Sequence, residues 1–105
     1  MMTPEGKIKR AVKQALKPYE AEADIWMPVP GGFGESRLDF AVCYRGRYIA
    51  IETKAPGKDL TARQKQCVAR YTRAGAQVFV IDDTDVCIRA LEFYMEQLRA
   101  AYPSG

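Results

Sequence analysis

Apolar residues recur along the chain at two periods, and the switches between them outline the elements. Ile8, Val12, Ala15 and Leu16 follow one another at helical spacing. Thr3 and Pro4 stand before them as N-cap and first helical residue, and Pro18 closes the run. Lys7, Lys9, Arg10, Lys13 and Lys17 occupy the other faces. Gly6 costs the first turn about 1 kcal/mol relative to alanine, which leaves room for a purpose there other than stability.

Residues 23–29 (ADIWMPV) read as a short strand interrupted by Pro28, and the glycines between Pro30 and Gly34 as a loop. From Arg37 to Tyr44 the period is two: Leu38, Phe40, Val42 and Tyr44 face one way, Asp39, Ala41 and Cys43 the other. Arg45-Gly46 is a turn. Arg47 to Lys54 alternates again, Ile49, Ile51 and Thr53 against Tyr48, Ala50, Glu52 and Lys54, so the two runs predict a β-hairpin. After a second loop (APGKD), Thr61 caps a helix with Val68, Tyr71 and Ala74 on its buried stripe, and Gly75 ends it. The continuous run AQVFVI, 76–81, predicts a strand buried on both faces. Residues 82–85 (DDTD) then cap a final helix with Cys87, Leu91, Tyr94 and Leu98 at helical spacing. The expected fold is α/β, a mixed sheet flanked by helices in the order α-β-β-β-α-β-α, and the 105 residues suit one domain, 1–105.

Composition removes several kinds of chemistry. There is no histidine, which excludes a Ser-His-Asp triad, a Cys-His pair and the usual zinc sites. Cys43, Cys67 and Cys87 are odd in number and widely spaced, and read as isolated thiols in a reducing cytoplasm. No apolar run approaches membrane-spanning length, and MMTPEGKIKR lacks the apolar stretch of an export signal, so the expected location is cytoplasmic. Net charge is +3, which permits a polyanionic partner without requiring one. Hydrolysis, if present, would run on carboxylates, lysine and a hard metal ion.

The hairpin supplies such a group. With a two-residue turn between Tyr44 and Arg47, Asp39 lies directly opposite Glu52, at a Cβ separation of about 4.5–5.5 Å. Two ionised carboxylates there repel unless a divalent cation lies between them. Lys54 shares the face of Glu52, two residues on, and could orient or deprotonate a water or stabilise phosphate charge. Tyr48, Ala41, Ala50 and Cys43 continue this face, which points to a helix covering it.

Asp39 followed by Ile51-Glu52-Thr53-Lys54 on the next strand resembles the PD-(D/E)XK nuclease motif. The helix opening Thr3-Pro4-Glu5-Gly6, the glycine loop before the aspartate and Leu60-Thr61-Ala62-Arg63-Gln64 after the lysine are similar to the VRR-NUC (virus-type replication-repair nuclease) domain, over residues 3 to 81. The resemblance implies a restriction-endonuclease-like core and a Mg²⁺-dependent endodeoxyribonuclease, with Mn²⁺ able to substitute. Asp39, Glu52 and the Thr53 carbonyl would be metal ligands and Lys54 the catalytic lysine. Glu5 matches the family's acid on the first helix, and Gln64 its glutamine on the second. Leu38 stands where the motif has proline, a change without chemical consequence. Stand-alone members, mostly from phages and bacteria, are thought to act as homodimeric resolvases of four-way (Holliday) junctions, so branched DNA and a second copy are the implied partners.

The same residues admit plainer roles. Glu5 also suits the positive end of a helix dipole, although it extends the apolar stripe toward the sheet. Thr61-x-x-Gln64 is a capping box whether or not Gln64 has a catalytic role. Arg37, Lys58, Arg63 and Lys65 could contact DNA or simply be solvated, as could Arg70 and Arg73. The rival to an enzyme is a nuclease fold that binds nucleic acid or protein without cutting.

Overall fold

The computed structural model describes residues 2–28 and 36–103. The chain runs α1 (Pro4–Leu16), a 3₁₀ turn (Lys17–Tyr19), β1 (Asp24–Trp26), β2 (Phe40–Tyr44), β3 (Arg47–Thr53), α2 (Ala62–Arg73), β4 (Gln77–Ile81) and α3 (Val86–Ala101). The strands form one sheet in the order β1-β2-β3-β4, antiparallel except for the parallel β3–β4 pair. The expected order of elements is the observed one. Val29 and the glycine loop at 30–34 lie outside the described residues.

Local chemistry explains the element ends. Thr3 Oγ1 accepts from the Gly6 N–H at 3.0 Å. A Cβ on Gly6 would lie only 3.0 Å from that same oxygen, so the glycine makes room for the cap, and this is the physical reason for an otherwise poor helix residue. At the hairpin, Arg45 and Gly46 have φ of 51° and 79°, the pair of positive values that a type I′ turn requires. Arg45 is held in this unusual conformation by its surroundings: its guanidinium lies 4.9 Å from the Tyr44 ring centroid, bonds Glu22 at 3.2 Å and donates to the Tyr102 carbonyl. The tight turn sets the register Tyr44↔Arg47 through Phe40↔Ile51, and its continuation places Asp39 beside Glu52.

Two apolar clusters cover the two faces. The larger joins α1 and α3 to Phe40, Val42, Tyr44, Ile49, Ile51 and Ile81. The smaller joins α2, through Cys67 and Tyr71, to Ala50 and Leu38. Four expectations need correction. Leu38 packs with Ala50 and not with Phe40, because the chain enters β2 only at Phe40 and its alternation does not extend back to residue 38. On α2 the buried residues are Cys67 and Tyr71, with Val68 partly buried and Ala74 exposed at the helix end. On α3 they are Ile88, Leu91, Met95 and Leu98, a stripe rotated from the expected Cys87 and Tyr94. β4 is an edge strand: Gln77 and Val80 are exposed, and an uninterrupted apolar run does not by itself place a strand in the middle of a sheet.

Candidate metal centre and its surroundings

The site forms where β2 begins and β3 ends. Glu52 is 4% exposed, a carboxylate almost wholly removed from water at the end of an apolar strand. Its Oε1 accepts from the Asp39 N–H at 3.1 Å and its Oε2 from Gln64 Nε2 at 2.5 Å. Burial, and after it the negative charge of Asp39, push its pKa up to about 7. Asp39 is anchored through one oxygen: Oδ2 accepts from the Thr53 N–H at 2.9 Å and from Thr53 Oγ1 at 2.6 Å. Its other oxygen, Oδ1, lies 3.8 Å from Lys9 Nζ.

Gln64 sits at the start of α2 and serves two structures at once. Its Oε1 accepts from the Thr61 N–H at 2.9 Å and Thr61 Oγ1 accepts from the Gln64 N–H at 3.2 Å, which completes the capping box. The same Oε1 accepts from Lys54 Nζ at 3.1 Å while Nε2 bonds Glu52. The capping reading of Gln64 is thus present in the geometry, and the same amide also links Glu52 to Lys54. Lys54 is placed by its own backbone as well, its N–H bonding the Ile81 carbonyl at 3.0 Å.

Glu5, half-exposed in the first turn of α1, reaches the group through Lys9, whose Nζ is 3.9 Å from Glu5 Oε2. Two contributions went unread in the sequence. One is Lys9, a cation between Glu5 and Asp39; its position one turn beyond Glu5 was the available signal. The other is the Thr53 side chain, which alternation sets on the side of Ile49 and Ile51 and whose hydroxyl donates to Asp39.

The donor set is hard oxygen from two adjoining carboxylates, without nitrogen or sulfur. That chemistry fits Mg²⁺ or Mn²⁺, and a cation there would relieve the like-charge conflict that adds to burial in raising the Glu52 pKa. A second cluster, Asp82, Asp83 and Cys87, has ligand atoms within 4.8 Å of one another. Asp83 is already engaged in capping α3, accepting from the N–H groups of Asp85 at 2.8 Å and Cys87 at 3.0 Å, and the Cys87 thiol donates to Asp82 at 3.7 Å. These local bonds account for that arrangement.

The basic candidates do not join the carboxylates. Lys58, Arg63 and Lys65 are exposed around the start of α2. Arg63 lines a groove of about 430 Å³ with Ser36, Arg70 and Arg73. Arg37 donates to the Tyr71 hydroxyl at 3.1 Å and borders a separate hollow. A further hollow, about 630 Å³, is lined by residues of α1 and β1 together with Phe40 and contains none of the carboxylate site.

A four-stranded mixed sheet with α2 on one face and α1 and α3 on the other, carrying paired carboxylates at a strand end, defines the architectural class. Within that class, a solved structure described as a VRR_NUC domain matches the chain with a TM-score of 0.68 and 24% identity, over 88% of this chain and 98% of its own. The chain therefore has the fold of a VRR_NUC domain, as its motifs led us to expect. No protein-family model matches the sequence, and no curated protein does. Among the described residues no helix is long and apolar enough to cross a membrane.

Proposed function

We propose that the protein is a divalent-metal-dependent nuclease that hydrolyses DNA phosphodiester bonds. The observation that carries this reading is the connected group Asp39–Glu52–Gln64–Lys54: two carboxylates brought together at one strand end, with a lysine hydrogen-bonded to the amide that holds one of them. Asp39 and Glu52 would hold Mg²⁺, with the Thr53 carbonyl as a further ligand. Bound there, the ion supplies Lewis-acid polarisation of the phosphate and a more acidic water. Thr53 fixes Asp39 Oδ2, so Oδ1 would be the oxygen available to hold the ion. Gln64 orients Glu52 and Lys54 relative to each other. Lys54, as an ammonium, positions the attacking water or offsets charge developing on the phosphate.

Preference for branched DNA, including four-way junctions, and action as a homodimer extend the same reading. A single carboxylate site cuts one strand at a time, and a two-fold dimer would present two sites to a junction with approximate two-fold symmetry. The support lies in two apolar exposures: β4 is an edge strand without a charged residue, and Val86 and Phe93 of α3 are each 64% exposed.

The test is cleavage of end-labelled linear and branched DNA with Mg²⁺ or with EDTA, by wild type, Asp39→Asn and Glu52→Gln. Metal-dependent cleavage lost in both variants is the expected result. Binding without cleavage by the wild type would establish the rival, a non-cutting module on a nuclease fold.

A further inference from the structure

Tyr48 lies on the same face of β3 as Ala50 and Glu52, yet the residue is 42% exposed. Its plane is set by Tyr71, which stacks on it at 5.8 Å between centroids and 19° between planes. Tyr71 is in turn buried and held by arginines: Arg37 bonds its hydroxyl and lies 5.9 Å from its ring centre, and Arg70 lies 5.7 Å from it. The outer ring is therefore restrained by a buried partner before any ligand arrives. Arg37, Arg47, Tyr48 and Tyr71 border a hollow of about 460 Å³, walled elsewhere by the small residues Gly46, Ala74, Gly75 and Ala76.

The helix over this face carries charge of one sign, and the acid in register with Tyr48, Asp24, lies two strands away beyond Cys43. The sequence of α2, ARQKQCVARYTR, holds four basic residues and no acid, and Arg63, Arg70 and Arg73 line the groove on that helix. A planar, ordered aromatic beside cations complements a nucleotide, whose base stacks on the ring while its phosphate meets the guanidinium groups. In a duplex that base face is taken by its neighbours, so the ring selects an unpaired nucleotide. The distance to the carboxylates suits this. Four residues along β3 separate Tyr48 from Glu52, about 13 Å at the rise of a strand, which is roughly four steps of a stacked nucleic-acid strand at about 3.4 Å each.

We propose that Tyr48, backed by Tyr71 and flanked by Arg37 and Arg47, is a stacking platform for an unpaired base of the DNA whose backbone enters the carboxylate site. The platform rests on the nuclease reading for its place in the reaction, but its binding is measurable without any cleavage.

The experiment is fluorescence anisotropy in EDTA with the full chain. The probes are a labelled duplex carrying a short single-stranded extension and a blunt duplex of equal length. A stacked base is worth about 1–3 kcal/mol, so Tyr48→Leu should bind the extended probe roughly 5- to 150-fold more weakly and the blunt probe as the wild type does. Tyr48→Phe and Tyr48→Trp, which keep a π-face, should bind the extended probe like the wild type, and 2-aminopurine in the extension should be quenched by these three proteins and not by Tyr48→Leu. Unchanged affinity and quenching in Tyr48→Leu, or an equal loss on both probes, would overturn the platform, as would no binding by the wild type. Because the readout excludes metal, absence of cleavage elsewhere overturns the nuclease reading alone.

Discussion

Gln64 donates to Glu52 across 2.5 Å while its carbonyl oxygen completes the N-cap of α2. A helix end and a buried carboxylate are therefore joined through one amide, and the two roles separate by mutation. Thr61→Ala removes only the cap hydroxyl and should cost about 1 kcal/mol of stability with cleavage nearly unchanged. Gln64→Ala should cost a similar stability and, in addition, lower cleavage about 10- to 100-fold, the usual effect of losing a group that orients a metal ligand. Thermal melts beside single-turnover rates check this; equal rates in the two variants would reduce Gln64 to a cap.

The raised Glu52 pKa makes the metal-free protein sensitive to pH. The folded state holds this proton up to about pH 7, whereas the unfolded chain releases it near the ordinary value of 4.5. The fold thus carries no penalty from Glu52 below about pH 4.5 and the full penalty above about 7, so stability falls as pH rises through that window. The shift corresponds to something on the order of 3 kcal/mol. In EDTA the melting temperature should drop between about pH 5 and 8 in the wild type, and less so in Glu52→Gln, which stays neutral. Mg²⁺ should reverse the drop in the wild type alone, because it favours the ionised form. Parallel profiles for the two proteins would show that Glu52 is not the group responsible.

Lys54→Ala should slow the chemical step by at least ~100-fold, the size of a lost acid–base or charge-stabilising group. DNA affinity in EDTA should stay close to that of the wild type. A loss of affinity with an unchanged single-turnover rate would make Lys54 a phosphate anchor instead.

Lys9 stands between Glu5 and Asp39 at 3.9 and 3.8 Å, where its ammonium would compete with a divalent ion held by the same Asp39 oxygen. Lys9→Met keeps the aliphatic stem and removes the competitor, so calorimetric titration should show Mg²⁺ bound several-fold more tightly. Weaker binding in Lys9→Met would mean that the ammonium helps to assemble the site.

The exposed α3 residues test the assembly. Phe93→Glu places a charge on a surface position whose side chain is 64% exposed, so the isolated fold should tolerate it within about 0.5 kcal/mol. Light scattering should report a dimer for the wild type and a monomer for Phe93→Glu, with the variant's preference for a four-way junction over linear duplex reduced. An active wild-type monomer at assay concentration would exclude the dimer, and equal rates on junction and linear duplex would exclude the substrate preference while leaving the metal chemistry in place.

What the sequence determined by itself is what depends on neighbours in the chain. Gly46 marks the tight turn, and a two-residue turn sets the hairpin register that aligns Asp39 with Glu52, although Arg45 also draws on Glu22 and Tyr102 to hold its positive φ. Thr3 and Thr61 cap helices through atoms three residues away, so the starts of α1 and α2 could be read directly. Periodicity divided β3 correctly into two faces for the same reason. The tertiary structure decided what depends on which segments meet. Whether QVFVI at 77–81 is central or at an edge is set by strand order, which no local pattern encodes. Leu38 joined Ala50 because the chain bends into β2 just after it, beyond the reach of strand alternation. Lys9 and Thr53 became partners of Asp39, and Tyr71 the backing of Tyr48, only through long-range packing of α1, α2 and the hairpin. The charges and rings were all visible in the sequence; their energies depend on separations of a few ångströms, and only the packed fold brings those about.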